Sequence, residues 1–279
     1  MGKVALETAV LTHGLPESVA VECALSCEAA VREGGGEPVT IGILKGEPVI
    51  GLSEEQIRLL GGEPGSDKAS LHNLPIILAR KRSAGTTVAA TLFLAAQAGI
   101  GAMSTGGIGG VHRGGGDDVS SDLTQLATTS AIVVCSGVKI VLDVRRTRER
   151  LETLGITLLG WRVERMPGFY CAETDERVDA MIETPREAAE ILSAKRRAGL
   201  PGAVIVAVPP PMPMDRDRIE SIVEDGFRKA PSGPEQTPYM LEYVSQMTEG
   251  ESMAANIALL CNNARIAGQI AVELGSIRT

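Results

Sequence analysis

Apolar positions along the chain fall into two kinds of run, and their order sketches a fold. Residues 3–12 (KVALETAVLT) are almost continuously apolar, the pattern of a strand buried on both faces. An amphipathic stretch from Pro16 to the glycines Gly34, Gly35 and Gly36 predicts a helix. Two apolar runs, 38–44 and 48–52, are parted by the turn signal Lys45 and Gly46 and predict a hairpin. A helix is expected from Ser53 to Gly61 and Gly62, then a polar connection over 63–73, a helix around 74–83 and an alanine-rich helix over 86–99. Strands follow at 100–105, 131–135, 156–161 and 203–208, with a helix starting near Lys139 and a rigid proline loop at 209–213; residues after Thr237 read as helical. Strands alternating with helices predict an α/β fold: a three-layer α/β/α sandwich around a largely parallel mixed sheet, one domain over residues 1–279 with a helical C-terminal third. No internal repeat or linker interrupts it. Sheets of this kind bind ligands beyond the carboxyl ends of their strands, so the residues just after each strand are the candidates for chemistry.

Composition narrows the class. Hydrophobic residues make up 44% of the 279 but aromatics only 3%, so the core is built from aliphatic side chains. The net charge of -8, from 27 basic and 35 acidic residues with no basic stripe, argues against a nucleic-acid polymer as partner. A small anion remains compatible, since a few cations and backbone N–H groups suffice. Five cysteines, an odd number in mostly apolar surroundings, read as reduced core thiols of a cytoplasmic protein. Cys23 and Cys27 are four apart, but no second pair completes a zinc set. No export signal and no run of membrane-spanning length is visible, so no membrane partner is expected.

The strongest local signal is the run from Thr105 to Arg113 (TGGIGGVHR), directly after a strand. Seven glycines between 106 and 116, with His112 and Arg113 nearby, predict a phosphate-binding nest of backbone N–H groups involving Thr105, Gly106 and Gly107; the plainer reading is a turn that needs positive φ. Lys139, expected at the start of a helix and partly desolvated, is a candidate amine nucleophile against the alternative of an ordinary surface lysine. Glu7, inside an apolar run, is a candidate general acid or else a paired structural carboxylate. Asp118 and Asp122, four apart, suit a water-bridged divalent cation or a helix N-terminal charge cluster. Asn256, Asn262 and Asn263 in an apolar helix face either a polar site or each other's helices. His13 is placed at the end of the first strand near the same sheet edge, and His72 in a surface loop.

Taken together, ALETAVLTHGLP, GTTVAAT, TGGIGGVHRG, DVSSDL, VVCSGVKIVLD, RLETLGI, TPYML and NIALLCNNA resemble the pseudouridine-5'-phosphate glycosidase family, also described as indigoidine-synthase-A-like, in order over nearly the whole chain. The resemblance implies reversible cleavage of pseudouridine 5'-phosphate to uracil and ribose 5-phosphate, dependence on a divalent metal, usually Mn2+ with Mg2+ as the alternative, and a homotrimer. It implies Lys139 as the lysine that forms an imine with the opened ribose and Glu7 as the proton donor. It implies Lys68, Val88, Ser120, Ser121, Asp122 and Asn256 as substrate contacts, and Asp118 as the metal ligand. The chain departs from the family pattern at Leu71, His72 and Asn73, where two arginines and an aspartate are usual, and at Val208, where an asparagine is favoured. The segment before Asp118 is about two residues shorter than usual, which leaves Asp117 as an alternative metal ligand. Two other readings stand beside this one: an enzyme acting on a related C-nucleotide or phosphosugar, and a non-catalytic phospho-ligand-binding protein.

Overall fold

The computed structural model describes residues 2–114, 118–139, 141–231 and 236–277, apart from the side chains of Glu17, Gln236, Thr237, Pro238 and Leu241. In chain order the first half runs β1 (Lys3–Leu6), a π-helical turn (Val10–Gly14), α1 (Glu17–Glu33), β2 (Glu37–Leu44), β3 (Glu47–Ile50), α2 (Glu54–Gly61), β4 (Asp67–Ala69), α3 (Leu74–Ala79), β5 (Ala84–Thr86), α4 (Val88–Gln97) and β6 (Ala102–Ser104). There follow β7 (Val111–His112), α5 (Ser121–Thr128), β8 (Ile132–Cys135), β9 (Leu142–Asp143), α6 (Val144–Thr153), β10 (Thr157–Trp161), β11 (Ala180–Ile182), α7 (Pro185–Arg197), β12 (Val204–Ala207), α8 (Arg216–Lys229), α9 (Gln236–Met247) and α10 (Glu251–Ser276).

One sheet carries the order β11-β10-β12-β8-β6-β1-β2-β5-β4, with β3 also paired to β2. Every pair from β11 to β2 is parallel; β3 and β5 run antiparallel to the second half of β2. The central strands are fully buried runs of Val, Ile and Ala, as a sheet covered on both faces requires. Alternation along β2 shows the two cover layers. Thr40 donates to the Glu28 carboxylate of α1, and a Cβ on Gly42 would lie 2.9 Å from Leu60 of α2, whereas Ile43 packs with Ile77 of α3 and Ala90 of α4. On the α1 face, α10 lies so close that a Cβ on Gly34 would fall 2.2 Å from the Arg265 carbonyl oxygen. The three-layer sandwich expected from the sequence is the fold observed.

Several expectations are corrected. The apolar run 3–12 is not one strand: β1 ends at Leu6, because the Thr8 hydroxyl accepts the Thr86 N–H at 2.9 Å and donates to the Ile41 carbonyl at 2.7 Å, replacing ladder bonds with side-chain bonds. The chain then winds into the π-helical turn, so His13 ends that turn rather than a strand. No helix starts at Lys139; α6 starts at Val144, capped by the Asp143 carboxylate, which accepts the Arg146 N–H. The connection 63–73 holds β4, and the helix expected over 74–83 stops at Ala79, leaving room for β5. All five cysteines are unpaired; Cys135 sits in β8, and burial pushes its thiol pKa up to about 12. No helix among the described residues is long and apolar enough to cross a membrane.

Candidate active site

β8, β6 and β1 are neighbours in the sheet and parallel, so their chains emerge side by side at one carboxyl edge. Glu7 follows β1 by one residue, Thr105 follows β6 by one, and Lys139 follows β8 by four. The two longer extensions remain zipped together: Ser136 N–H donates to Gly106 O at 2.8 Å, Ile108 N–H to Gly137 O at 3.0 Å, and Lys139 N–H to Ile108 O at 3.1 Å. This ladder, and not a helix terminus, positions Lys139.

A solvent-open cleft lies over this edge, and Glu7, Lys68, Thr105, Gly106, Gly107, Lys139 and Asn256 all line it. The Thr105 hydroxyl donates a hydrogen bond to the Glu7 carboxylate. Thr105 is itself held from behind, its carbonyl accepting from Asn263 Nδ2 at 3.0 Å, while the same amide meets the Ser136 hydroxyl at 3.1 Å. The wholly buried Asn263 thus locks together the strand ends that carry the site. Burial raises the Glu7 pKa above the usual carboxylate value, against the opposing pull of Lys139, Thr105 and Lys68; Asp122 adds to the rise. Lys68, at the mouth of the cleft, is lowered by loss of solvent around its amine and then by neighbouring Lys139, against Glu7 and Asp122. Lys139 Nζ makes no hydrogen bond or ion pair among the described residues.

The glycine run divides: Gly114 has φ +94, as the turn reading expects, and Gly115 and Gly116 lie outside the described residues. Gly106, Gly107, Gly109 and Gly110 do not have positive φ, and a nest needs alternating hands. The N–H groups of Ile108, Gly109, Val111 and His112 are already bound within the protein, by Gly137 O, the Asp122 carboxylate, the Thr147 hydroxyl and Asp118 O. What the glycines supply is the absence of a Cβ: added atoms would lie 2.7 Å from the Phe169 ring at Gly107, 2.2 Å from Ser120 Oγ at Gly109 and 2.4 Å from Thr147 Oγ1 at Gly110. Among the described glycines of the run, Gly106 and Gly107 line the cleft, beside Thr105.

Several expected contacts lie elsewhere. Val88 is fully buried at the start of α4, and its neighbour Thr87 lines the cleft instead. Asp122 is buried behind the site, its Oδ1 accepting the Ala89 N–H at 3.0 Å and its Oδ2 the Gly109 N–H at 2.8 Å. Ser120 caps α5, and Ser121 Oγ meets Ser70 Oγ at 2.8 Å. Asp118 is exposed, with its Oδ2 3.8 Å from His112 Nδ1, and neither residue lines the cleft. A carboxylate beside one imidazole leaves most of a cation's shell to water, which suits Mg2+ or Mn2+ better than a softer metal. Among the described residues no three His, Cys, Asp or Glu side chains gather as a metal-binding group, and Asp117 lies outside the described residues. Of the other asparagines, Asn262 is on the surface bound to Arg265. The departures from the family pattern have structural duties. Asn73 accepts the Ser70 N–H at 2.7 Å and donates to the Lys68 carbonyl at 2.9 Å, while Val208 is core and donates its N–H to Cys135 O. His72 is exposed, as expected.

Phe169, which no motif in the sequence marks, faces Gly107 with its ring and meets Tyr170 edge-on with centroids 4.7 Å apart. Its backbone has φ +64, held by a bond from its N–H to Ser136 O at 2.9 Å. The signal was its rarity, as one of three phenylalanines in the chain.

The model of the indigoidine synthase A like family matches residues 2–273. A Thermus thermophilus protein named pseudouridine-5'-phosphate glycosidase is 44% identical over 99% of this chain and 98% of its own length. The crystal structure of an indigoidine synthase A-like protein from Thermotoga maritima superposes with a TM-score of 0.92 at 39% identity, covering 98% of this chain and 93% of that one. The prealnumycin C-glycosynthase AlnA, solved in complex with ribulose 5-phosphate, superposes with a TM-score of 0.91 at 33% identity over 99% of this chain and 92% of its own. Sequence and fold agree over nearly the full length, and the chain belongs to the indigoidine synthase A like family.

Proposed function

We propose that this chain is an enzyme that makes and breaks the C-glycosidic bond of pseudouridine 5'-phosphate, interconverting it with uracil and ribose 5-phosphate through an imine on Lys139. The observation that carries the reading is the meeting of Glu7 and Lys139 in one cleft, on the ends of nearly adjacent strands, with the lysine amine unpaired among the described residues. The name of the T. thermophilus relative and the pentose phosphate bound to AlnA support the same substrate class.

A C-glycoside has no leaving oxygen or nitrogen to protonate, so direct hydrolysis is slow. Opening the sugar first removes that obstacle. Glu7, whose raised pKa keeps its proton at higher pH than an ordinary carboxylate, donates to the ring oxygen as Lys139 Nζ bonds to C1'. The Glu7 carboxylate takes a proton back from the lysine nitrogen, which then supplies the electron pair that forms the imine as the bond to the base breaks. Lys68 at the cleft mouth offers a cation to the phosphate, and Asn256 an amide to the base. Thr105, Gly106 and Gly107 shape the floor between them.

The remaining assignments are also proposals. Asp118, with His112 beside it, is the candidate ligand for Mn2+ or Mg2+, which would supply positive charge toward the phosphate. A homotrimer and a cytoplasmic setting follow the family pattern. The test is product formation: protein incubated with uracil, ribose 5-phosphate and Mn2+ should yield pseudouridine 5'-phosphate by mass spectrometry and chromatography, and a complete failure to do so in both directions would contradict the reading.

A further inference from the structure

Two compartments meet at His13. Past His13, Gly14 and Asn256, which border both, the cleft of Glu7 and Lys139 opens into a second, solvent-open hollow walled by Tyr170, by Glu242 of α9 and by Ser252 of α10. A base joined to the anomeric carbon has to project away from the amine that attacks that carbon, and this hollow is the space the cleft continues into. His13 reaches the junction because the chain after Glu7 winds as a π-helical turn, a rare geometry frequent at functional sites. Its ring is anchored on one side only: Nδ1 lies 2.7 Å from Thr12 Oγ1, and Thr12 is packed so tightly that a Cβ on Gly85 would fall 2.2 Å from that oxygen. Nε2 makes no hydrogen bond among the described residues.

We infer that His13 is the acid–base residue on the base side of the reaction, giving a proton to the base carbon that leaves the sugar and taking it back in synthesis. The inference rests on the lysine-imine reading above. In cleavage, once Lys139 nitrogen is bonded to C1' of the opened sugar, the C5=C6 electron pair of uracil takes the proton from His13 Nε2, whose nitrogen keeps the N–H bonding pair. The Glu7 carboxylate, left after its proton went to the ring oxygen, takes a proton from the Lys139 nitrogen; the lone pair so freed forms the C1'=N bond as the bond from C1' to C5 breaks, and the released pair restores C5=C6. Uracil departs with one new hydrogen and water hydrolyses the imine; synthesis is the reverse, with neutral His13 removing the C5 proton. Nothing is oxidised or reduced.

The charges around the ring favour that exchange. Lys68 and Asp67 of β4 act on it with opposite sign, and Glu242 of α9 borders the same hollow. His13 is exposed, and partial loss of solvent first, with Lys68 second, lowers the pKa of its imidazole against the opposing pull of Asp67.

The experiment compares wild-type protein with His13→Gln and His13→Asn. Asn retains a donor toward Thr12 but has nothing at the Nε2 position. Two quantities are read: the borohydride-trapped adduct formed with ribose 5-phosphate alone, which needs no base, and the rate of pseudouridine 5'-phosphate formation when uracil is added. Both variants should form adduct at the wild-type level, which also certifies their folding, while product formation drops about 100-fold or more. The pH profile of condensation should lose its imidazole limb. Product formation within a few-fold of wild type, or adduct falling in step with product, would overturn the proposal. Wild-type protein that forms no adduct would overturn the imine reading and this proposal with it, a pattern distinct from either variant result.

Discussion

The backbone N–H of Lys139 donates to the carbonyl of Ile108 at 3.1 Å, and through that bond the glycine-rich segment after β6 carries the lysine after β8. The arrangement continues two parallel strands beyond the sheet's edge, so the site inherits the rigidity of the sheet rather than the mobility of a loop. Gly137 makes it possible: its φ is +88, and a Cβ there would stand 2.1 Å from the Pro167 carbonyl oxygen.

Gly137→Ala should therefore damage both fold and function. The backbone strain alone is worth about 1–3 kcal/mol, and the displaced ladder moves Lys139 off the sugar carbon. Urea denaturation and turnover together check this; a variant with wild-type stability and rate would show that the ladder does not position the amine.

Glu7 links stability to pH. Its pKa is raised in the folded protein, chiefly by burial, above an ordinary value of 4.5. The unfolded chain ionises first as pH rises, so the stabilisation from this group is complete below that ordinary value and is lost as pH passes through the folded pKa. Glu7→Gln cannot ionise. The stability of the variant relative to wild type should grow as pH is raised from about 4.5 and then level off, while turnover falls about 100-fold or more. A constant stability difference across that range would contradict the burial argument.

The two aspartates should separate cleanly. Asp122→Ala leaves the buried N–H groups of Ala89 and Gly109 without partners, at a cost of about 1–3 kcal/mol each. Asp118 is exposed, and Asp118→Ala should change stability by less than about 0.5 kcal/mol. If Asp118 holds the cation, the same variant needs more Mn2+ for half-maximal turnover. Thermal unfolding and a Mn2+ titration read the pair, and the opposite pattern would reassign the metal to Asp122.

Much of this was legible because the signals were local. The hairpin of β2 and β3 shows in the turn at Lys45 and Gly46, α2 in its Ser53 cap, and the buried strands β8, β10 and β12 in their aliphatic runs. β4 and β5, three residues each, are strands only because a neighbour pairs with them, and no periodicity fits in three positions. The apolar pattern predicts neither of the charge-rich helices α7 and α8, although the Thr184 and Glu187 capping box marks the start of α7. The site shows the same division. Glu7 stood out as a carboxylate among apolar neighbours, whereas the roles of Asp122 and of Gly109 and Gly110 depend on what packs against them in three dimensions. The glycine run is legible as a special segment, whereas the close contacts admitted by Gly107, Gly109 and Gly110 are not.

Everything in the functional account depends on Lys139 Nζ bonding to a sugar carbon. The direct measurement is to incubate the protein with ribose 5-phosphate, reduce with borohydride, digest, and map the adduct by mass spectrometry. The account predicts one adduct, on Lys139, absent from Lys139→Ala protein that unfolds at the wild-type temperature. An adduct on Lys68 with Lys139 unmodified, or wild-type turnover by Lys139→Ala, would contradict it.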